Sequence, residues 1–310
     1  MVSLPNHAIL AMVSLSNHAI IIFVYNMQIH SIDTGYFKLD GGAMFGVVPK
    51  KIWNNLVPAD ENNLCTWSMR CLLVIAEGKV ILIDCGMGDK QDAKFFSHYE
   101  PHGDNTLISS LNAKYILPED ITDVFLTHLH FDHCGGAVKM DEKGKLVPTF
   151  PNARYWSNER QWAWATNPNS REKASFLKEN FIPLQQHGVV RFLNEDEDLF
   201  KGFSTIWVYG HTEAMMLPVI KYQGKTIVYM ADLMPSYAHI PLPYVMGYDV
   251  RPLITLKEKE VFLAEALKKD YILFFEHDAV NECCNLQQTE KGIRPKQLMK
   301  LDEIYTGALF

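Results

Sequence analysis

His128-Leu129-His130-Phe131-Asp132-His133-Cys134-Gly135-Gly136 sets three imidazoles and one carboxylate within six consecutive positions and closes on two glycines. The run before it, Ile121-Thr122-Asp123-Val124-Phe125-Leu126-Thr127, is apolar and β-branched, which predicts a buried strand emerging into this loop. The paired glycines let the backbone turn tightly around whatever the side chains hold. In extended or loosely turned backbone His128, His130 and Asp132 alternate to one side, and His133 points away from them. Such a loop serves two neighbouring metal ions better than one. Neutral imidazole and carboxylate suit Zn2+ ahead of Mn2+ or Fe2+. A single histidine is ordinarily a solvated or structural residue. That reading fails for the group, because further ligands arrive downstream.

His211 follows an expected strand at 205–209, Asp232 one at 226–230, and His277 one at 271–275. Each stands at the C-terminal mouth of a buried strand, where open sheets present their sites. Seven metal-competent side chains are too many for one four-coordinate zinc and suit two, with one carboxylate shared. His128, His130 and His211 are expected to hold the first metal, Asp132, His133 and His277 the second, and Asp232 to bridge them. Water or hydroxide would take the remaining bridging position. Asp84, at the end of an expected strand 80–84 and followed by Cys85-Gly86-Met87-Gly88, is expected to face the same site. The remaining histidines (His7, His18, His30, His98, His102, His187 and His239) lack such partners and read as structural or solvated.

A chain of 310 residues with 48% hydrophobic and 21% charged residues is ordinary globular material, long enough for a large core. A net charge of −7 and the lack of a Lys/Arg-rich run argue against a nucleic-acid surface. Six cysteines without a C-x-x-C pair are read as reduced thiols, which makes the cytoplasm the expected location. No stretch reaches the roughly 18 apolar residues of a membrane span. Met1-Val2-Ser3-Leu4-Pro5-Asn6-His7-Ala8-Ile9 is nearly repeated by Met12-Val13-Ser14-Leu15-Ser16-Asn17-His18-Ala19-Ile20. The first basic side chain is Lys38, so the positively charged start of a secretory signal is missing. Residues 1–26 are therefore read as an N-terminal extension and 27–310 as one domain.

Within that domain strands are expected at 28–37, 66–76, 80–84, 121–127, 153–156, 205–209, 216–222, 226–230 and 271–275. Helices are expected within 101–115, from Asn158, and over 256–269. Strands first in runs and then alternating with helices predict an α/β protein with two packed sheets covered by helices, an αββα sandwich.

With these residues in place the chain resembles the metallo-β-lactamase superfamily. The hallmark His-x-His-x-Asp-His is matched by His128, His130, Asp132 and His133, the later ligands by His211, Asp232 and His277, and the early strand-end aspartate by Asp84. Among its branches the chain is most similar to the N-acyl-homoserine lactone lactonases, which quench quorum sensing, down to Phe131 inside the loop. Asp232 stands where the best-known β-lactamases carry Cys, and His130 where the diiron members carry Glu. The charge disfavours RNA-processing members, and no basic C-terminal segment suits a glutathione thioesterase. The resemblance implies lactone opening by a metal-bridging hydroxide, with Asp132 passing the proton to the leaving alkoxide. Some of these lactonases place a carbonyl-assisting Tyr three residues after the bridging Asp. Here that position is Pro235, and Tyr237 is the nearest candidate for the catalytic phenol. Met44, Phe45 and Phe131, with Met234 as a further candidate, are expected to wall the acyl chain; plain core packing is the alternative for each. The implied partner is a small lactone, with a homodimer as one assembly open to it. The rival activities are a phosphotriesterase or broad arylesterase on the same metals, and a zinc-binding scaffold without turnover.

Overall fold

The computed structural model describes residues 9–15, 18–24 and 27–306. Ile9–Leu15 and His18–Val24 pair antiparallel as a two-stranded sheet of their own. The other residues of the repeated N-terminal stretch, 1–8, 16, 17, 25 and 26, lie outside the described residues.

Two six-stranded sheets carry the fold. In the first, the order is Val190–Phe192, Arg154–Ser157, Asp123–Phe125, Lys79–Ile83, Cys71–Ala76, Gln28–Ile32. In the second it is Phe203–Val208, Met215–Tyr222, Lys225–Tyr229, Ile272–Phe274, Cys283–Thr289, Gly292–Met299. Strand alternation sorts the side chains by face. Leu72, Val74, Ile81 and Ile83 meet Ile220, Ile227, Tyr229 and Phe274 between the sheets. Leu73, Leu82 and Val124 point outward onto helices Leu107–Ala113, Glu159–Thr166 and Ile182–Gln186, through Leu111, Trp162 and Leu184. Helix Pro252–Lys268 packs on the second sheet through Phe262, Leu263 and Ala266. The layering is helix, sheet, sheet, helix, the αββα sandwich expected from the order of elements.

Several expected strands are shorter or divided. The first breaks at Asp33-Thr34-Gly35 into Gln28–Ile32 and Tyr36–Asp40, and the second at Met69-Arg70 into Leu64–Ser68 and Cys71–Ala76. The glycine loop after Asp40 is a helical turn, Gly41–Phe45, because the Asp40 carboxylate accepts from the Ala43 N–H as an N-cap. All six cysteines are free and buried. Among the described residues no helix is long and apolar enough to cross a membrane.

Parallel pairing decides where the chemistry sits. Lys79–Ile83, Asp123–Phe125 and Arg154–Ser157 run parallel, as do Lys225–Tyr229 and Ile272–Phe274. Their C-terminal ends therefore deliver Asp84, His128, Asp232 and His277 to one rim of the sandwich. Val208 leads to His211 beside them.

Candidate metal centre

The rim gathers the seven expected side chains into two groups. His128, His130, His211 and Asp232 form one; Asp132, His133 and His277 form the other, and within each the ligand atoms lie within 4.8 Å of one another. All seven are at most 7% exposed. The metal loop is not extended as expected. His133 and Cys134 both donate their N–H groups to the His130 carbonyl, so Phe131–Cys134 is one helical turn. That turn swings Asp132 away from His128 and His130 to join His133 and His277, which corrects the one-sided projection expected from strand alternation.

The nitrogen atoms of each group converge on one another. His130 Nδ1 lies 3.1 Å from His128 Nε2 and 3.1 Å from His211 Nε2, and His133 Nε2 lies 3.2 Å from His277 Nε2. Lone pairs facing each other at these distances repel unless a proton or a metal cation stands between them. Asp232 faces both groups: Oδ2 is 3.0 Å from His211 Nε2 and 3.8 Å from His128 Nε2, and Oδ1 is 3.1 Å from His277 Nε2. Burial alone would raise the Asp232 pKa, but His211, His133 and His277 hold it well below the ordinary carboxylate range. Burial likewise opposes charge on His211 and His277, yet the Asp232 carboxylate lifts them to about 10 and about 9. The pocket thus demands positive charge, and its donors are imidazole nitrogen and carboxylate oxygen. This set fits a pair of divalent cations.

The far side of each imidazole is anchored, as metal-ligating histidines require. His277 Nδ1 donates to the Ser68 carbonyl at 2.7 Å and His211 Nδ1 to Asp249 at 2.9 Å. His133 Nδ1 donates to Asp84 at 3.1 Å, and Asp84 also accepts from the Thr127 N–H and hydroxyl at 2.8 and 2.7 Å. Glu276 Oε2 lies 2.9 Å from the same His133 nitrogen but is misaligned, and among the described residues neither Glu276 oxygen has a hydrogen-bond partner. Burial pushes the Glu276 pKa upward, toward the neutral acid. Asp84, His133 and Glu276 could themselves be counted as a metal-competent group. Because they meet on the Nδ1 side of His133, they read as support for the ligand and not as a third cation site.

Glu172 is the residue the sequence did not disclose. It is buried, with Oε1 3.5 Å from His130 Nε2, and it accepts from Thr212 at 2.6 Å, Trp164 at 2.7 Å and Asn169 at 2.6 Å. Burial would raise its pKa, but the approach of His130 and the bonds from Thr212 and Trp164 draw it down to about 2. It is therefore a carboxylate that faces the Nε2 side of His130, away from the Nδ1 atom that turns toward His128 and His211. Replacing Glu172 by Gln should weaken binding at the first metal position roughly 10- to 100-fold, read by titrating metal-depleted protein with Zn2+. An unchanged affinity would remove Glu172 from that role. Asp249 and Glu276 were also missed, although Glu276 sits directly before His277 in sequence.

A cavity of about 330 Å³ opens over the metal groups, lined by Leu39, Met44, Tyr99, Phe131, Arg171, Glu172, Met246 and Tyr248 besides the ligands. A larger cavity, about 540 Å³, lies beside helix Leu107–Ala113 and holds none of the seven side chains, so size alone does not locate the chemistry. Met44 and Phe131 line the cavity over the metal groups. Phe45 does not: successive helical residues diverge by about 100°, and its ring is buried between Trp53 at 5.2 Å and His239 at 4.7 Å. Met234 belongs to the core between the sheets. Tyr237 is turned from the metals. Its N–H is held by Asp278 at 3.2 Å, and its hydroxyl donates to the Leu56 carbonyl at 3.3 Å. His239 is structural, donating to the Met44 carbonyl at 2.9 Å, with Ser236 on its other nitrogen at 2.8 Å. Burial keeps it neutral, with its pKa down to about 3.

Comparison with known proteins agrees with this geometry. The chain is 22% identical over 244 residues to the N-acyl homoserine lactonase of Bacillus cereus, covering 74% of this chain and 87% of that protein. A probable metal-dependent hydrolase from Staphylococcus aureus superposes with a TM-score of 0.80 at 26% identity, over 89% of this chain and 97% of that one. AidC, a dizinc quorum-quenching lactonase, superposes with a TM-score of 0.72 at 20% identity, over 94% and 98%. The model of the metallo-beta-lactamase superfamily matches residues 70–277, the span that holds all seven clustered side chains together with Asp84, Glu172, Asp249 and Glu276. The chain belongs to the metallo-β-lactamase superfamily of metal-dependent hydrolases.

Proposed function

We propose that this protein is a dinuclear, zinc-dependent lactonase that opens the ring of N-acyl-homoserine lactones and so quenches quorum signals. The observation that carries the reading is the pair of buried donor groups sharing Asp232 at the floor of a cavity with an apolar wall. Two bound divalent cations would lower the pKa of water from about 15.7 to near 7 and polarise a carbonyl oxygen. The chain's own residues supply the rest. Asp132 Oδ2 faces His133 and His277 at 3.8 and 3.7 Å, which leaves its other oxygen to carry the proton to the leaving alkoxide. Leu39, Met44, Phe131 and Met246 offer apolar surface to an acyl chain. The known neighbours named for lactone chemistry support the substrate class, and six free, buried thiols support a reducing, cytoplasmic setting.

The test is a pH-stat assay on lactones of graded acyl length, run beside a paraoxon-like triester and an aryl ester, with metal content measured on the same sample. Lactone opening with two metals per chain is expected. Triester turnover without lactone turnover would move the activity to a phosphotriesterase, and bound zinc without any turnover would leave a scaffold. Phe131 packs edge-on against Phe95 at 5.3 Å and tilted against Tyr99 at 4.5 Å. Replacing it by Ala should raise KM for long-chain lactones roughly tenfold through lost apolar contact, and less for short-chain ones. Equal effects on both would exclude Phe131 from the acyl wall.

A further inference from the structure

Tyr248 stands at the mouth of the metal cavity, 39% exposed, above ligands that are at most 7% exposed. Its place is fixed from both sides. The Gly247 N–H donates to the Ala43 carbonyl at 2.7 Å, and the Val250 N–H to the His211 carbonyl at 3.2 Å. Arg171 donates to the Gly247 carbonyl and, at 3.3 Å, to that of Asp249, whose carboxylate holds His211. Tyr99 supplies a second phenol across the opening, but its ring is spent on the wall with Phe131 and Phe95. Among the described residues the Tyr248 hydroxyl has no hydrogen-bond partner. Burial, with Tyr99, Asp40 and Asp132 nearby, holds it above the ordinary phenol range, so it remains a donor.

Depth says which part of a substrate it meets. The scissile carbonyl must reach the floor, between Asp232 and Asp132. A donor at the mouth meets the substituent that projects outward from the ring. In an N-acyl lactone that substituent is an amide, whose carbonyl is a strong acceptor; in a plain alkyl lactone it offers none.

Resting on the lactonase reading, we infer that Tyr248 donates a hydrogen bond to the amide carbonyl of the substrate and sets a preference for amide-bearing lactones over plain alkyl lactones. The group acts on specificity, not on the reacting bond. The experiment compares wild type with Tyr248→Phe, both carrying their metals, on N-hexanoyl-homoserine lactone and on an alkyl γ-lactone of matched length. The ratio of kcat/KM between the two should narrow roughly three- to tenfold, the worth of one net hydrogen bond, with metal content unchanged. A ratio that stays as in wild type overturns the inference, whether both activities fall or neither does. Metal loss in the variant also overturns it, since the role would then be structural. Wild-type protein inert on both lactones is a different result, because it removes the lactonase reading and this inference with it.

Discussion

Replacing Asp232 by Ala should reduce kcat/KM by about a thousandfold or more, since hydroxide forms at neutral pH only where bound metals draw the pKa of water from about 15.7 to about 7. Metal content should fall in parallel, from two ions per chain to one or fewer. The reason lies in the two-sided placement of the carboxylate, with Oδ2 toward His211 and His128 and Oδ1 toward His277. Without it, two clusters of buried imidazoles lose their shared negative charge. His211 and His277 owe their raised pKa to that charge first among the raising influences, so the pocket would no longer favour cations. Metal analysis and lactone kinetics on one preparation check this. A variant that keeps both ions and wild-type turnover would show that Asp232 bridges nothing.

The metal cluster was legible in sequence because each member stands at a fixed offset from an apolar run that periodicity identifies. His128, Asp232 and His277 all follow strands whose Val, Ile, Leu and Phe content gives them away, and parallel pairing brings those strand ends to one rim. The carboxylates behind the histidines were not legible. Glu172 and Asp249 come from irregular segments with no periodic signal, and their partners, Thr212 and His211, are 40 and 38 positions away in the chain. The helix Ala93–Tyr99 escaped for another reason. It has no buried residue, and its aromatics Phe95, Phe96 and Tyr99 fall in a stretch too short to show a helical stripe. The closing hairpin, Cys283–Thr289 with Gly292–Met299, was hidden by Gln287 and Gln288, which lie past the pairing with Ile272–Phe274, and by Pro295, which an edge strand tolerates and an inner one does not. Tyr237 shows the limit of counting from a motif: the turn through Pro235 and Ser236 delivers its hydroxyl to Leu56.

The two glycines after the metal loop permit a sharper expectation than turn chemistry alone. Gly135 has ordinary right-handed helical angles, φ −57° and ψ −44°, so alanine would meet no backbone strain there. What it would meet is the backbone of Met87: an added Cβ would lie 1.9 Å from the Met87 carbonyl oxygen and 2.4 Å from its carbon. Neither is a flexible side-chain end. The two segments are docked main chain to main chain, with the Cys85 N–H on the His133 carbonyl at 2.7 Å and the Gly136 N–H on the Gly86 carbonyl at 3.0 Å. Opening that contact pulls His133 from Asp84. Gly135→Ala should therefore cost about 3 kcal/mol or more by overpacking, lowering Tm by roughly 5–10 °C. It should also weaken the Asp132, His133 and His277 position selectively, leaving one metal per chain in place of the two proposed for wild type. Calorimetry with metal analysis reads both. A Gly135→Ala protein with wild-type Tm and full metal content would mean that the loop can lift from Met87 without disturbing the ligands, and that backbone contact is not what holds the second group together.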